Sequence, residues 1–93
     1  MKFEPNEQPV NEKIIVNGRE VGEMDKTQIS ERHRYHAAIH VGRSPNTHLI
    51  QGFADTREGA VADAIISGLA RAADLAKSIA EFARALEADA ASA

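Results

Sequence analysis

The last third of the chain sets the terms for everything before it. Val61, Ile65, Gly68, Ala72, Leu75, Ile79, Phe82 and Leu86 recur at alternating steps of four and three residues. Such steps return each side chain to one face of an α-helix, so the spacing predicts a single amphipathic helix. Asp55 suits an N-cap with Glu58 three residues on as a capping box, which puts the helix start at Thr56 and its span at about 56–88. No proline interrupts it. Ser67-Gly68 offers either a kink site or a close approach to a neighbouring element, and one continuous or gently kinked helix is the favoured outcome. The alanine-rich end, 90–93, is expected to fray.

Length turns this helix into a problem. At 1.5 Å per residue it would run about 48 Å, while a six-residue strand spans about 20 Å. A chain of 93 residues has only a thin core to offer and can build two packed layers at most. Val61, Ile65 and Gly68, with Ile66 or Leu69, can therefore cover a sheet, but Leu75, Ile79, Phe82 and Leu86 must project past it. Leaving each in water forgoes about 1.5–3 kcal/mol of burial. A second copy of the chain is the economical cover, because homodimers are the commonest oligomers and alanines at 72, 73, 76, 80 and 83 permit close helix contact. The stripe carrying Asp63, Arg71, Asp74, Lys77, Glu81 and Arg84 alternates in sign and is expected to face solvent.

The sheet is written in the first half. Residues 1–10, with Pro5 and Pro9 and no periodicity, are expected to form a flexible arm. Two Ile/Val-rich runs, 12–16 and 19–24, flank Asn17-Gly18, a pair suited to the positive φ angles of a two-residue hairpin turn. That turn would set Val16 opposite Arg19, Ile15 opposite Glu20 and Ile14 opposite Val21, with Ile14, Val16 and Val21 on one face. Asp25 to Glu31 resembles a connection. In 34–42, Tyr35, Ala37, Ile39 and Val41 alternate with Arg34, His36, Ala38 and His40, the period of a strand with one buried face. Alanines there also permit a helix capped by Gly42, but the alternation favours the strand. Residues 47–53 return as a further strand whose buried face the alternation leaves open. The fold class expected is α+β: a three- or four-stranded antiparallel β-meander covered on one face by a long C-terminal helix, all within one domain over 11–89.

Several function classes lose support at this level. Cysteine is absent, which removes disulfides and thiolate chemistry. The N-terminal residues lack the apolar run of a signal peptide, no segment reaches the roughly 20 apolar residues of a membrane span, and a cytoplasmic, non-membrane protein is the default expectation. Serines 30, 44, 67, 78 and 92 sit in no nucleophile context, and the glycines form no phosphate-binding loop, so no catalytic residue, cofactor or enzymatic activity is expected. His36 and His40 on a strand stand about 13 Å apart, too far to share an ion, and no metal site is expected. Net charge is -3, with residues 1–53 balanced at seven basic and seven acidic side chains and 54–93 holding four basic and seven acidic. Any nucleic-acid contact would thus need a local patch, for which Arg34, His36, His40, Arg43 and His48 around the third strand are the candidates. The favoured expectation is a non-enzymatic interaction protein that self-associates through Leu75, Ile79, Phe82 and Leu86. A nucleic-acid-binding or regulatory role on the open sheet face is the alternative.

The run from RYHAAIHVG to GFADTREGAVADAI, about residues 34–66, resembles the β-β-α portion of HicB-type antitoxins, whose sheet-to-helix junction often reads G-D-T-x-E-E-A. It is more loosely similar to the β-β-β-α order of double-stranded-RNA-binding folds. The resemblance implies an antiparallel sheet leading straight into its covering helix, and an antitoxin-like role as a version of the alternative function.

Overall fold

The computed structural model describes residues 1–6, 11–30, 33–43 and 45–92, with side chains described outside 27–34. Five strands, β1 (Lys2–Pro5), β2 (Asn11–Val16), β3 (Arg19–Ser30), β4 (His33–Arg43) and β5 (Asn46–Ala54), precede one helix, α1 (Arg57–Ser92). Each strand pairs antiparallel with its sequence neighbours in the order β1-β2-β3-β4-β5, so the α+β meander is present. It has one strand more than expected. Residues 2–5 of the anticipated arm pair with β2 and set Phe3 opposite Ile14, where Phe3 packs against the core. A short edge strand with Lys2 and Pro5 is also a poor template for further strand addition. The remaining arm residues, 7–10, lie outside the described residues.

Asn17 and Gly18 have φ of 53° and 74°, the two left-handed positions of a type I′ turn. The turn pairs Val16 with Arg19 and Ile15 with Glu20 as the sequence predicts, but Ile14 then meets Gly22. Val21 is the extra residue of a β-bulge, and the expected Ile14 to Val21 pairing and shared face with Val16 do not form. Val16 is exposed. The supposed connection from Asp25 is strand through Ser30, pairing Asp25 with His36 and Lys26 with Tyr35 before the register shifts.

The helix begins one residue later than its sequence suggests. Thr56 Oγ1 accepts the Gly59 N–H at 3.0 Å, and the Thr56 carbonyl accepts the Ala60 N–H at 3.0 Å. Thr56 is therefore the N-cap and Gly59 sits at N3, so the Asp55 to Glu58 capping box does not form. At the other end the alanines, the strongest helix formers, carry the helix to Ser92, whose hydroxyl donates to the Ala88 carbonyl at 3.0 Å. Residues 90–92 of the tail expected to fray over 90–93 are helical, and residue 93 lies outside the described residues. The helix continues through Gly68 unbroken: a Cβ there would lie 2.6 Å from Ile50 Cγ2, so the glycine serves close packing.

Packing is tightest where the helix crosses β5. A Cβ on Gly52 would collide with the Ala64 backbone nitrogen and the Ala60 carbonyl oxygen, so the helix backbone rests directly on the strand. The lid of the sheet is therefore Ala60, Val61 and Ala64, whereas the expected Ile65, Ile66 and Leu69 stay 48–67% exposed. Ile14, Met24, Ala37 and Ile39 complete the core, flanked by half-buried Phe3, Val21, Tyr35, Ile50 and Ala54. Among the described residues, only Ile14 and Met24 are large side chains fully removed from water. The core is as thin as the chain length implies.

Two charged residues of the presumed solvent stripe have a structural task instead. Asp63 Oδ2 accepts the Phe53 N–H at 2.9 Å, and Arg71 Nη2 donates to the Leu49 carbonyl at 2.8 Å. Phe53 and Leu49 are four residues apart on an edge strand and direct their backbone groups the same way. Four residues of strand cover about 13 Å and the eight from Asp63 to Arg71 about 12 Å of helix. The helix thus runs antiparallel along β5 and closes the sheet's second edge with its own side chains.

Candidate self-association surface

Among the described residues, Arg71 makes the last hydrogen bond from helix to sheet, and every residue from Leu69 to Ser92 is exposed. From Ala72 to Ser92 the helix runs on for about 31 Å at 1.5 Å per residue, consistent with a longest dimension of 61 Å for the whole molecule. Leu75, Ile79, Phe82 and Leu86 are 62, 60, 65 and 53% exposed. They occupy the same helical face as Val61, Ala64 and Gly68, which upstream are pressed against the sheet. Sequence and structure agree on this overhang: the face is uniform in pattern and divided in environment.

At the point of departure a groove opens between the helix and the ends of β4 and β5. Val41, Ile50, Leu69 and Leu75 give it apolar walls, and His48, Arg71 and the backbone of Leu49 stand at its margin. Val41 is 39% exposed although it belongs to the core-facing set of β4, because the helix has left the sheet at that level. Periodicity could not reveal the groove, since it arises from the angle at which two elements part.

The opposite face of the sheet is uncovered by the helix. His36 lies there between Phe53, stacked at a ring-centroid distance of 4.6 Å, Gln51, whose Oε1 is 2.9 Å from Nε2, and Asp25, whose Oδ2 is 3.4 Å from Nδ1. His40 shares that face four residues on. His48, however, pairs with Val41 and joins the groove on the helix side, while Arg43 pairs with Asn46 at the far end of the β4-β5 hairpin. The side chain of Arg34 lies outside the described residues. Of the four candidate contacts that are described, His36 and His40 therefore lie on one face and His48 on the other, and His36 is engaged by an acid, an amide and an aromatic ring. Glu20 and Glu23 add negative charge beside His40.

Among the described residues, no group of three or more His, Cys, Asp or Glu side chains is placed to hold a metal ion. No described helix is long and apolar enough to cross a membrane. Comparison of the chain with known protein families, with curated proteins and with solved structures finds no match.

Proposed function

We propose that this protein is a small non-enzymatic interaction module that pairs with a second copy of itself through Leu75, Ile79, Phe82 and Leu86. One observation carries the proposal: four large apolar side chains, each more than half exposed, continue the helical face that the sheet has already buried upstream. At about 1.5–3 kcal/mol for each side chain removed from water, a partner covering all four gains enough to offset the cost of association. Small residues at Ala72, Ala76, Ala80 and Ala83 let a second helix come close.

Static light scattering and sedimentation equilibrium on the wild type and on Leu75→Asp/Phe82→Asp test this directly. The wild type should sediment as a dimer at micromolar concentration and the double variant as a monomer with its sheet intact by circular dichroism. A wild type that remains monomeric at high micromolar concentration removes the proposal.

A further inference from the structure

We infer that the two helices pair antiparallel, with the C-terminal end of the partner helix seated in the groove lined by Val41, His48, Leu49, Leu69, Arg71 and Leu75. The inference rests on the self-association proposed above and specifies its geometry.

The decisive observation is which side of the helix the sheet occupies. Val61 and Ala64 are buried against the sheet and Gly68 lies against Ile50, on the very face that Leu75 to Leu86 continue. Packed helix axes lie about 8–10 Å apart. In a parallel, in-register pair each sheet would stand on the inner side of its own helix at the same level as the other. Two sheets would then have to fit in a gap that holds only interlocked side chains. Reversing one helix moves the sheets to opposite ends and leaves the overhangs free to meet.

The stripe supports that arrangement in register. Ile79 and Leu86 occupy one set of seam positions and Leu75 and Phe82 the other, alternating by four and three. An antiparallel pair centred between Ala80 and Glu81 opposes Leu75 to the partner's Leu86 and Ile79 to the partner's Phe82, so every large side chain meets another. The flanking positions, Ala76, Ser78, Ala83 and Ala85, are small and uncharged.

Charge favours the same orientation. The last turn of the helix has no basic residue to offset the negative end of its dipole, and Glu87 and Asp89 lie close to it. A parallel pair would gather the acids of both copies at one end. The antiparallel pair carries Asp89 opposite Ala72 of the other copy, beside Arg71 and the groove that also presents His48. The apolar walls of that groove are continuous with Leu75, so Leu86 of the partner enters a surface that is already apolar.

Because the chain has no cysteine, two single substitutions read the orientation. Ala76→Cys and Ala83→Cys are prepared separately, one with a mass tag, and oxidised alone and as an equimolar mixture. In the antiparallel pair position 76 of one copy faces 83 of the other. In that register the two copies of position 76 stand about 13 Å apart along the axis and the two copies of position 83 about 7 Å, both beyond the ~3.5–4.5 Å Cβ separation of a disulfide, so the mixed bridge should exceed either self-bridge about tenfold. Efficient bridging of each variant to itself, without the mixed product, would show a parallel pair and overturn the inference while leaving self-association standing. A dimer in sedimentation that forms neither product overturns this register, again leaving self-association intact. A monomer in sedimentation overturns both.

Discussion

Arg57 Nε donates to Glu12 Oε1 at 2.7 Å, tying the first residue of the helix to a strand 45 positions earlier in the chain. The same guanidinium stands 4.7 Å from the centre of the Tyr35 ring and donates from Nη1 to the Tyr35 hydroxyl at 3.3 Å. One side chain thus joins β2, β4 and α1, and it orients the helix before its alanines reach the sheet.

Arg57→Ala should lower the unfolding free energy by about 1–2 kcal/mol in urea denaturation, the sum of a partly exposed ion pair and a cation–π contact. Arg57→Lys should recover only part of this, because an ammonium cannot reproduce the planar fork that reaches two partners. The hydrogen bond to Glu12, set against desolvation, raises the guanidinium above its ordinary value. A raised cation contributes stability that is complete below its unfolded value and lost only as pH climbs through the folded one. The window is therefore strongly alkaline, and titration of Arg57 itself should add no pH dependence to stability at neutral pH.

Thr56 and Asp55 give a sharper comparison. Thr56→Ala removes the acceptor of the Gly59 N–H and should cost about 1 kcal/mol, whereas Asp55→Ala, whose carboxylate lies outside the capping position, should cost a few tenths. Equal losses for the two, measured by chemical denaturation, would place the cap one residue earlier.

Gly52→Ala and Gly68→Ala should behave oppositely although both glycines lie under the same contact. At Gly52 the new methyl meets helix backbone, which cannot yield without lifting α1 from the sheet, so a loss of about 3 kcal/mol or failure to fold is expected. At Gly68 it meets the γ2 methyl and Cβ of half-buried Ile50, a side chain rather than backbone, so a small displacement of Ile50 costs something that the gain of about 1 kcal/mol in helix propensity offsets. Gly68→Ala should therefore lie within about 1 kcal/mol of wild type in the same denaturation assay.

These glycines also explain what the sequence could and could not convey. Asn17-Gly18 announces its turn because positive φ restricts the choice of residue, and the alternation around Tyr35 to Ile39 announces β4 because buried side chains there are apolar. Gly52 is the buried centre of β5 and has no side chain with which to mark the inward face, so the sequence leaves the face of 47–53 open and does not separate His48 from the histidines of the other side. The β1 strand was illegible because one apolar residue, Phe3, among Lys2, Glu4 and Pro5 makes no pattern. Its pairing is dictated by the exposed edge of β2, a tertiary circumstance. Asp55-Thr56 offers two competent caps in succession, and only packing selects between them. The overhang was legible throughout, since it follows from comparing two lengths: a helix of ten turns and strands of about a dozen residues or fewer.

If association covers the overhang, the thermal midpoint must depend on protein concentration. Leu75, Ile79, Phe82 and Leu86 contribute nothing to the monomer's core. A helix segment without tertiary contacts owes its order to propensity alone and is marginal at this length. Pairing therefore stabilises the folded chain by mass action, and each tenfold rise in concentration should raise Tm by about 3–6 °C while the dimer dominates. Leu75→Asp/Phe82→Asp should melt at one temperature over the same range, with a lower fractional helicity as the freed end unwinds. Calorimetry across two decades of concentration measures both. A wild-type Tm that does not move, in a sample that sediments as a dimer, would mean that pairing is too weak to contribute to folding stability and that the sheet and the first helical turns hold the fold alone.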